Sequence, residues 1–350
     1  MIFGAIVRRT HFCSMGAVGD IVTMGDWTRM RMWALAAGVA MMGFFAMAVA
    51  GWIDPSKTLY ASPRLLWLSA LVGGFMFGFG MVLSSGCGSK TLVRIGGGNL
   101  KSLVVFGMMG IAAFATLKGI TAVARVATVD RVAVDFQGNA TLADWVAQAL
   151  GLAPAVAGLG LALVVGSGLV VWALWPQDFR NFNNLLGGVG LGAVITAMWW
   201  VSGHLGYVAE HPDTLQEAFV ATNSGRLEAL SFVAPVAYTL DWLLFFSDQS
   251  KVLTLGIVSV LGVVAGSALH ALWSRSFRWE GFRDARDTGT HLLGAVLMGV
   301  GGVCAMGCTV GQGLSGISTL SAGSFVALAA IIAGCVAGLK YQTWQLERAL

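Results

Sequence analysis

Runs of about 20 mostly apolar residues recur along the chain and are separated by shorter polar segments. A run of this length spans the hydrocarbon core of a bilayer as a helix. The pattern predicts eight membrane-spanning helices, at residues 31–52, 65–85, 101–122, 154–175, 184–203, 252–273, 290–306 and 322–340. Two further apolar stretches, 1–25 and 229–247, are interrupted by charged residues, glycine or proline. We expect short or re-entrant helices there, because lipid tolerates irregular backbone only where protein surrounds it.

Composition excludes a water-soluble globule. Of 350 residues, 57% are hydrophobic and 11% are charged, whereas a soluble protein carries about 25% charged residues. The 48 glycines fit close helix packing in lipid. The net charge is only +4 and no run of five basic residues occurs, so membrane lipid, and no nucleic acid, is the expected surrounding partner.

The polar loops predict an orientation. The segment 275–287 contains four arginines, and the positive-inside rule places such a short loop in the cytoplasm. Counting crossings from it places the acid-leaning loops 125–153 and 204–228 outside, with a short amphipathic helix expected in 125–153. The same count places residues 86–100 inside and 307–321 outside. The chain is therefore predicted to be a multi-pass membrane protein, and the family resemblance described below implies that its location is the bacterial inner membrane.

An internal repeat organises the chain. Five residues of the first half recur 221 positions later: Gly78, Gly80, Val82, Gly86 and Cys87 correspond to Gly299, Gly301, Val303, Gly307 and Cys308. A weaker match relates Cys13 to Val233. An odd number of crossings between the copies means opposite orientations, as in many transporters.

This repeat defines the predicted fold class. We expect an all-α integral membrane protein with about eight or nine transmembrane helices, short re-entrant helices and two inverted, pseudo-symmetric halves. The whole chain, 1–350, is predicted to be one transmembrane domain. Its first half is 1–150, the connecting spans and loop are 151–220, and its second half is 221–350.

The glycine-flanked cysteines are the candidate binding groups. Gly86 and Gly88 flank Cys87, and Gly307 precedes Cys308, so backbone and thiol are both open to a ligand. A thiol is polarizable and hydrogen-bonds weakly, which suits a soft sulfur anion that must later be released.

Two polar residues near the cysteines are further candidates. Gln312 is expected to offer its amide to an oxyanion. Lys90, just after Cys87, is interpreted either as part of a positive collar or as a marker of the membrane interface.

The cysteines have two alternative roles, in packing and in metal binding. They are alternatively small buried apolar side chains, and we expect packing roles for Cys304 and Cys335. Cys304 and Cys308, four residues apart, would bind a soft metal only with a histidine such as His11 or His291. No Cys-x-x-Cys and no acid–base constellation accompanies the thiols, so neither an enzyme nor a cofactor is expected.

Three motifs resemble the YeeE/YedE family of bacterial sulfur transporters. They are Phe-Cys at 12–13, Ser-Gly-Cys-Gly at 85–88, and Gly-Cys-Thr-Val-Gly-Gln-Gly at 307–313. The resemblance covers nearly the whole chain. It implies an hourglass-shaped helical protein that takes up thiosulfate across the inner membrane.

The resemblance also implies roles for individual residues. Three essential cysteines, here Cys13, Cys87 and Cys308, pass the anion along by S–H hydrogen bonds to sulfur, without a covalent bond or ATP. The partner it implies is a cytoplasmic TusA-like sulfurtransferase. The alternative from another class is a membrane thiol protein that does not transport, either a redox sensor or an anchor for a sulfurtransferase.

Overall fold

The fold is almost entirely helical in the computed structural model, which describes residues 1–210, 215–220, 222–248 and 250–348. The helices in chain order are α1 (Ile2–Thr10), α2 (Ser14–Met24), α3 (Thr28–Val49), α4 (Trp67–Leu83), α5 (Gly88–Gly96), α6 (Leu100–Lys118), α7 (Ile120–Ala127), α8 (Leu142–Leu150), α9 (Pro154–Leu174), α10 (Phe182–Leu185), α11 (Leu191–Trp200), α12 (Ala234–Leu244), α13 (Leu255–Trp273), α14 (Ala285–Cys304) and α15 (Ala322–Glu347).

Short irregular elements join these helices. A π-helical turn, Leu186–Gly190, makes α10 and α11 one continuous helix that ends in a second π turn, Val201–Leu205. A third π turn, Gly311–Gly316, lies within a short helix at 309–318. Two small antiparallel ladders cover the loops: β1 (Arg64–Leu65) with β2 (Val134–Asp135), and β3 (Tyr207–Val208) with β4 (Ala218–Phe219).

The predicted spans are confirmed as helices. Among the described residues, seven helical segments are long and apolar enough to cross a membrane, and one of them, Trp67–Gly96, combines α4 with α5. The eighth predicted span, 290–306, lies in α14, which begins at Ala285 with charged residues in its first turn. The amphipathic helix expected in the loop 125–153 is α8. The all-α membrane fold is therefore confirmed.

The two interrupted stretches form short helices, as predicted. In the first, α1 and α2 are separated at His11, whose backbone is left-handed with φ 54°. In the second, a single helix, α12, has Pro235 in its first turn, a position where a missing N–H costs no hydrogen bond. Neither stretch contains a helix long enough to span a bilayer.

The equivalent helices α4 and α14 pack antiparallel. A Cβ built on Gly80 would lie 2.7 Å from the carbonyl oxygen of Gly294, and one built on Gly73 would lie 2.7 Å from that of Gly301. In the repeat, Gly294 is equivalent to Gly73 and Gly301 is equivalent to Gly80. Each glycine of α4 therefore contacts the α14 equivalent of the other one. Equivalent helices that run antiparallel belong to inverted copies, so the inverted halves are confirmed.

The two copies also exchange neighbours. The last helix of the second copy, α15, packs on α4, and the last helix of the first copy, α6, packs on α14. Small residues permit both contacts: Gly78 approaches the carbonyl of Ile331, and Gly299 approaches that of Met109. The finer division at residues 150 and 220 stays a prediction.

Polar contacts sort the loops onto two faces. Lys57 contacts Glu217 at 2.5 Å, and Arg64 lies 3.9 Å from Asp135, so the loops 125–153 and 204–228 share one face. Residues 211–214 and 221 of the latter lie outside the described residues. On the other side, Asn99 pairs with Glu280. We call this side, which carries the loop 275–287, the arginine face; that it lies in the cytoplasm stays a prediction.

Candidate functional site

The turns before Cys87 and Cys308 have matching backbones. Ser85 and Met306 are left-handed, with φ 57° and 55°. In each turn the following glycine N–H returns to the helix: Gly86 donates to Met81 O and Gly307 to Gly302 O, both at 2.8 Å. This is the Schellman ending of a helix. It places both cysteines at equivalent positions after α4 and α14.

Each of the three cysteines lies at the N-terminus of a short helix. Cys13 caps α2 and its Sγ accepts the Gly16 N–H at 3.3 Å. Cys87 caps α5, with Sγ 3.3 Å from Ser89 Oγ. Cys308 precedes the helix 309–318 and accepts the Gly311 N–H at 3.4 Å. Val233 caps α12, the equivalent of α2.

These four helix ends converge. The Cys13 and Cys87 thiols are neighbours, and the backbone of Phe232 approaches Cys308. Thr309, the residue after Cys308, lies beside Cys87. Helix N-termini carry a partial positive charge and unpaired N–H groups. Their meeting point therefore favours an anion.

The meeting point is enclosed. Cys13, Cys87 and Cys308 are 8%, 1% and 0% exposed, and all are free thiols. The buried Thr309 hydroxyl completes no hydrogen bond within the described part of the chain. Because an unpaired buried hydroxyl is costly, a ligand between Thr309 and Cys87 would satisfy it.

The predicted glycines lie in close contacts, of which the one at Gly88 excludes any side chain. A Cβ on Gly88 would lie 2.8 Å from Phe232 O, so only glycine allows α12 and α5 to approach. On Gly86 and Gly307 a Cβ would lie 3.1 Å from Lys90 Cγ and 3.2 Å from Gln312 Cγ.

Gln312 is a brace for the second turn. Its Nε2 donates to Ala305 O at 2.5 Å, and its Oε1 accepts from Ser324 Oγ at 2.5 Å. These contacts hold the turn 305–308 against α15. A direct amide contact with substrate stays a prediction.

A basic vestibule opens on the arginine face. This cavity of about 470 Å³ is lined by Arg8, Arg9, His11, Lys90, Arg94, His270, Arg278 and Glu280, together with small and polar residues. The Lys90 ammonium is close enough to Cys13 and Cys87 to interact with both. Lys90 lines this vestibule, and its role as a collar or as a marker of the membrane interface stays a prediction.

A second vestibule opens on the opposite face. Its volume is about 320 Å³, and it reaches the turn that holds Met306 and Gly307. Arg125, Asp130 and Cys304 line it. The sequence analysis did not predict Arg125 and Asp130 as site residues, and it expected a packing role for Cys304. No sequence pattern indicates that the segment 125–131 lies at the end of α14. The buried Cys335 in α15 adjoins Gly78, in a packing role.

Among the described residues, no cluster of three or more His, Cys, Asp and Glu side chains could hold a metal ion. Cys304 and Cys308 are separated by the turn that follows α14. No third ligand for a metal at Cys304 and Cys308 is found among the described residues.

Inverted halves with short helices that meet between two opposed vestibules define a multi-pass membrane transporter. The chain belongs to the sulphur transport family, whose match extends over residues 9–337. The predicted family resemblance is thus confirmed, and the chain is a multi-pass protein of the bacterial inner membrane.

Two characterised relatives cover nearly the whole chain. The thiosulfate transporter TsuA of Escherichia coli is 27% identical over 339 residues, which are 95% of this chain and 90% of the relative. The thiosulfate transporter TsuA of Spirochaeta thermophila is 24% identical over 350 residues, or 95% of this chain and 94% of the relative. The probable transporter YedE of Escherichia coli is similar over a shorter stretch of 92 residues, at 29% identity.

Proposed function

We propose that this protein takes up thiosulfate, or a closely related sulfur anion, by passing it along the thiols of Cys13, Cys87 and Cys308. The observation that carries this proposal is the convergence of four helix N-termini on these thiols between two vestibules. Two relatives that match the chain from end to end are named thiosulfate transporters, which supports the choice of anion.

The site lowers the free-energy cost of moving a dianion across the membrane. An isolated charge in a medium of low dielectric constant costs on the order of tens of kcal/mol. Four helix ends direct N–H groups towards the thiols and supply a partial positive charge. The anion exchanges water for these groups, so no cation has to travel with it to the centre.

Thiols allow passage as well as binding. An S–H group is a weak donor and sulfur a weak acceptor, so contacts with the terminal sulfur of thiosulfate form and break easily. Conduction requires sites that are weak enough to release their ion. No covalent bond forms, the thiols remain reduced, and no ATP is consumed.

The path connects both faces. At the outer end the second vestibule borders the turn at Gly307, from which Cys308 and Thr309 lead to Cys87. At the inner end Lys90 and the basic vestibule attract the anion from Cys87 and Cys13 towards the arginine face. The predicted orientation places the arginine face in the cytoplasm, where a TusA-like sulfurtransferase is the expected recipient of the anion.

The alternative is a membrane thiol protein that does not transport. A redox sensor needs thiols that are accessible or paired with a resolving cysteine. Here all five cysteines are free and buried, and the two neighbouring thiols, Cys13 and Cys87, are only 8% and 1% exposed, so an oxidant in water reaches them poorly. The enclosed thiols and the two vestibules favour transport.

Uptake into proteoliposomes tests the proposal. The purified protein should accumulate ³⁵S-thiosulfate, with excess unlabelled thiosulfate competing and excess sulfate failing to compete. Empty liposomes provide the background. Uptake no faster than that background, from protein that elutes as a single folded species, would contradict transport and favour the sensor.

A further inference from the structure

The second vestibule contains ionisable groups that the thiol path does not use. Arg125 and Asp130, from the segment that follows α6, face Cys304 at the end of α14. The Arg125 Nε lies 3.0 Å from Asp130 Oδ2, and their side chains are 21% and 16% exposed. Arginine, aspartate and thiol thus meet in one cavity, next to the turn that leads to Cys308.

The Arg125–Asp130 pair is incompletely satisfied. Within the described residues, Arg125 Nε and Asp130 Oδ1 are both buried and make no hydrogen bond of acceptable geometry. A guanidinium carries five donors in a planar fork that matches oxyanions. An oxyanion that enters the cavity therefore meets an arginine whose Nε has no well-aligned hydrogen bond.

One cation and two carboxylates line the cavity, so Arg125 is the group in it that would attract an anion. Arg125 is opposed by Asp130 and by Glu228, while Tyr238 and Cys304 complete the titratable lining. Glu228 accepts hydrogen bonds from Ser224 and pairs with no cation in the described part of the chain. Burial raises the pKa of the Glu228 carboxyl.

We infer that this cavity is a docking subsite for the transported anion. Arg125 binds the sulfonate-like oxygens in competition with Asp130, and the Cys304 thiol faces the terminal sulfur. The subsite is the first site that an anion entering from this face meets, at the end of α14 and before the turn that leads to Cys308. The inference deepens the proposed function, since it assumes the same anion.

Kinetics provide the first test. Arg125→Gln should raise the KM for thiosulfate about tenfold, equivalent to about 1.4 kcal/mol, with little change in Vmax. Asp130→Asn should lower the KM, a gain that misfolding cannot imitate. The matched control is Arg131→Gln, an exposed arginine of the same segment, which should leave KM unchanged. Unchanged KM in both Arg125→Gln and Asp130→Asn would overturn the subsite.

Thiol labelling provides a test independent of transport. In protein with wild-type Cys304, thiosulfate should slow maleimide labelling of that residue. A control variant that carries Cys304→Ala and Val132→Cys measures direct consumption of the reagent, because Val132 is exposed on the same face. Equal slowing at both positions would overturn the subsite. If thiosulfate is transported but Cys304 is not protected, only the subsite fails; absence of transport is a failure of the proposed function.

Discussion

The turn before Cys87 and the turn before Cys308 share their backbone and differ in their surroundings. Both have a left-handed residue and a returning glycine N–H. The first has a second thiol, Cys13, and Lys90 beside it. The second has Val233 where the first copy has Cys13, and it borders a vestibule with one arginine and two acids. Duplication thus preserved the geometry that holds a thiol while the charge around each thiol diverged.

The largest expected effect comes from substitutions that disrupt the packing of α4 on α14, which both copies share. Gly80→Leu and Gly301→Leu should both prevent folding, because a Cβ at either position meets the carbonyl of the other copy at 2.7 and 2.6 Å. Overpacking costs about 1–3 kcal/mol, and more where backbone blocks relaxation. The yield of monodisperse protein after detergent extraction measures this.

Gly160→Leu is the matched control for these variants, since nothing lies within 4 Å of that glycine's Cβ position in α9. It should yield as much protein as the wild type. Tolerance of leucine at Gly80 with loss at Gly301 would show that the two copies do not pack equivalently.

The first difference between the copies is the exchange of Cys13 for Val233. Cys13→Val should reduce thiosulfate uptake at least a hundredfold, or about 2.8 kcal/mol, because it removes the thiol next to Cys87. Val233→Cys should retain uptake, since Val233 packs against Gly302 and is 0% exposed. Normal uptake by Cys13→Val would remove this residue from the path.

The second difference between the copies is Lys90, which lies near the thiols of the first copy. Lys90→Gln should raise the KM for thiosulfate about tenfold, because it removes the positive charge nearest to Cys13 and Cys87 while leaving the thiols in place. Lys118→Gln, at the exposed end of α6, should behave as the wild type. An effect of equal size in both variants would indicate a general charge effect and not a collar at the thiols.

Sequence reasoning predicted the backbone better than the site. The length of the apolar runs predicts the spans, and the Gly-Cys motif predicts paired turns, because lipid and close packing impose both. Arg125 was not predicted, since its place in the same cavity as Cys304 depends on how the chain turns after α6. The bracing contacts of Gln312 depend on α15 in the same way, through Ser324.

The central claim is that buried thiols of both copies carry the anion, and uptake by two single variants tests it most directly. Cys87→Ala and Cys308→Ala should each abolish ³⁵S-thiosulfate uptake while keeping melting temperatures near that of the wild type, since the lost sulfur leaves a void worth roughly 1 kcal/mol. Cys335→Ala, which removes a buried thiol away from the path, should transport normally. Normal uptake by both Cys87→Ala and Cys308→Ala would contradict the account.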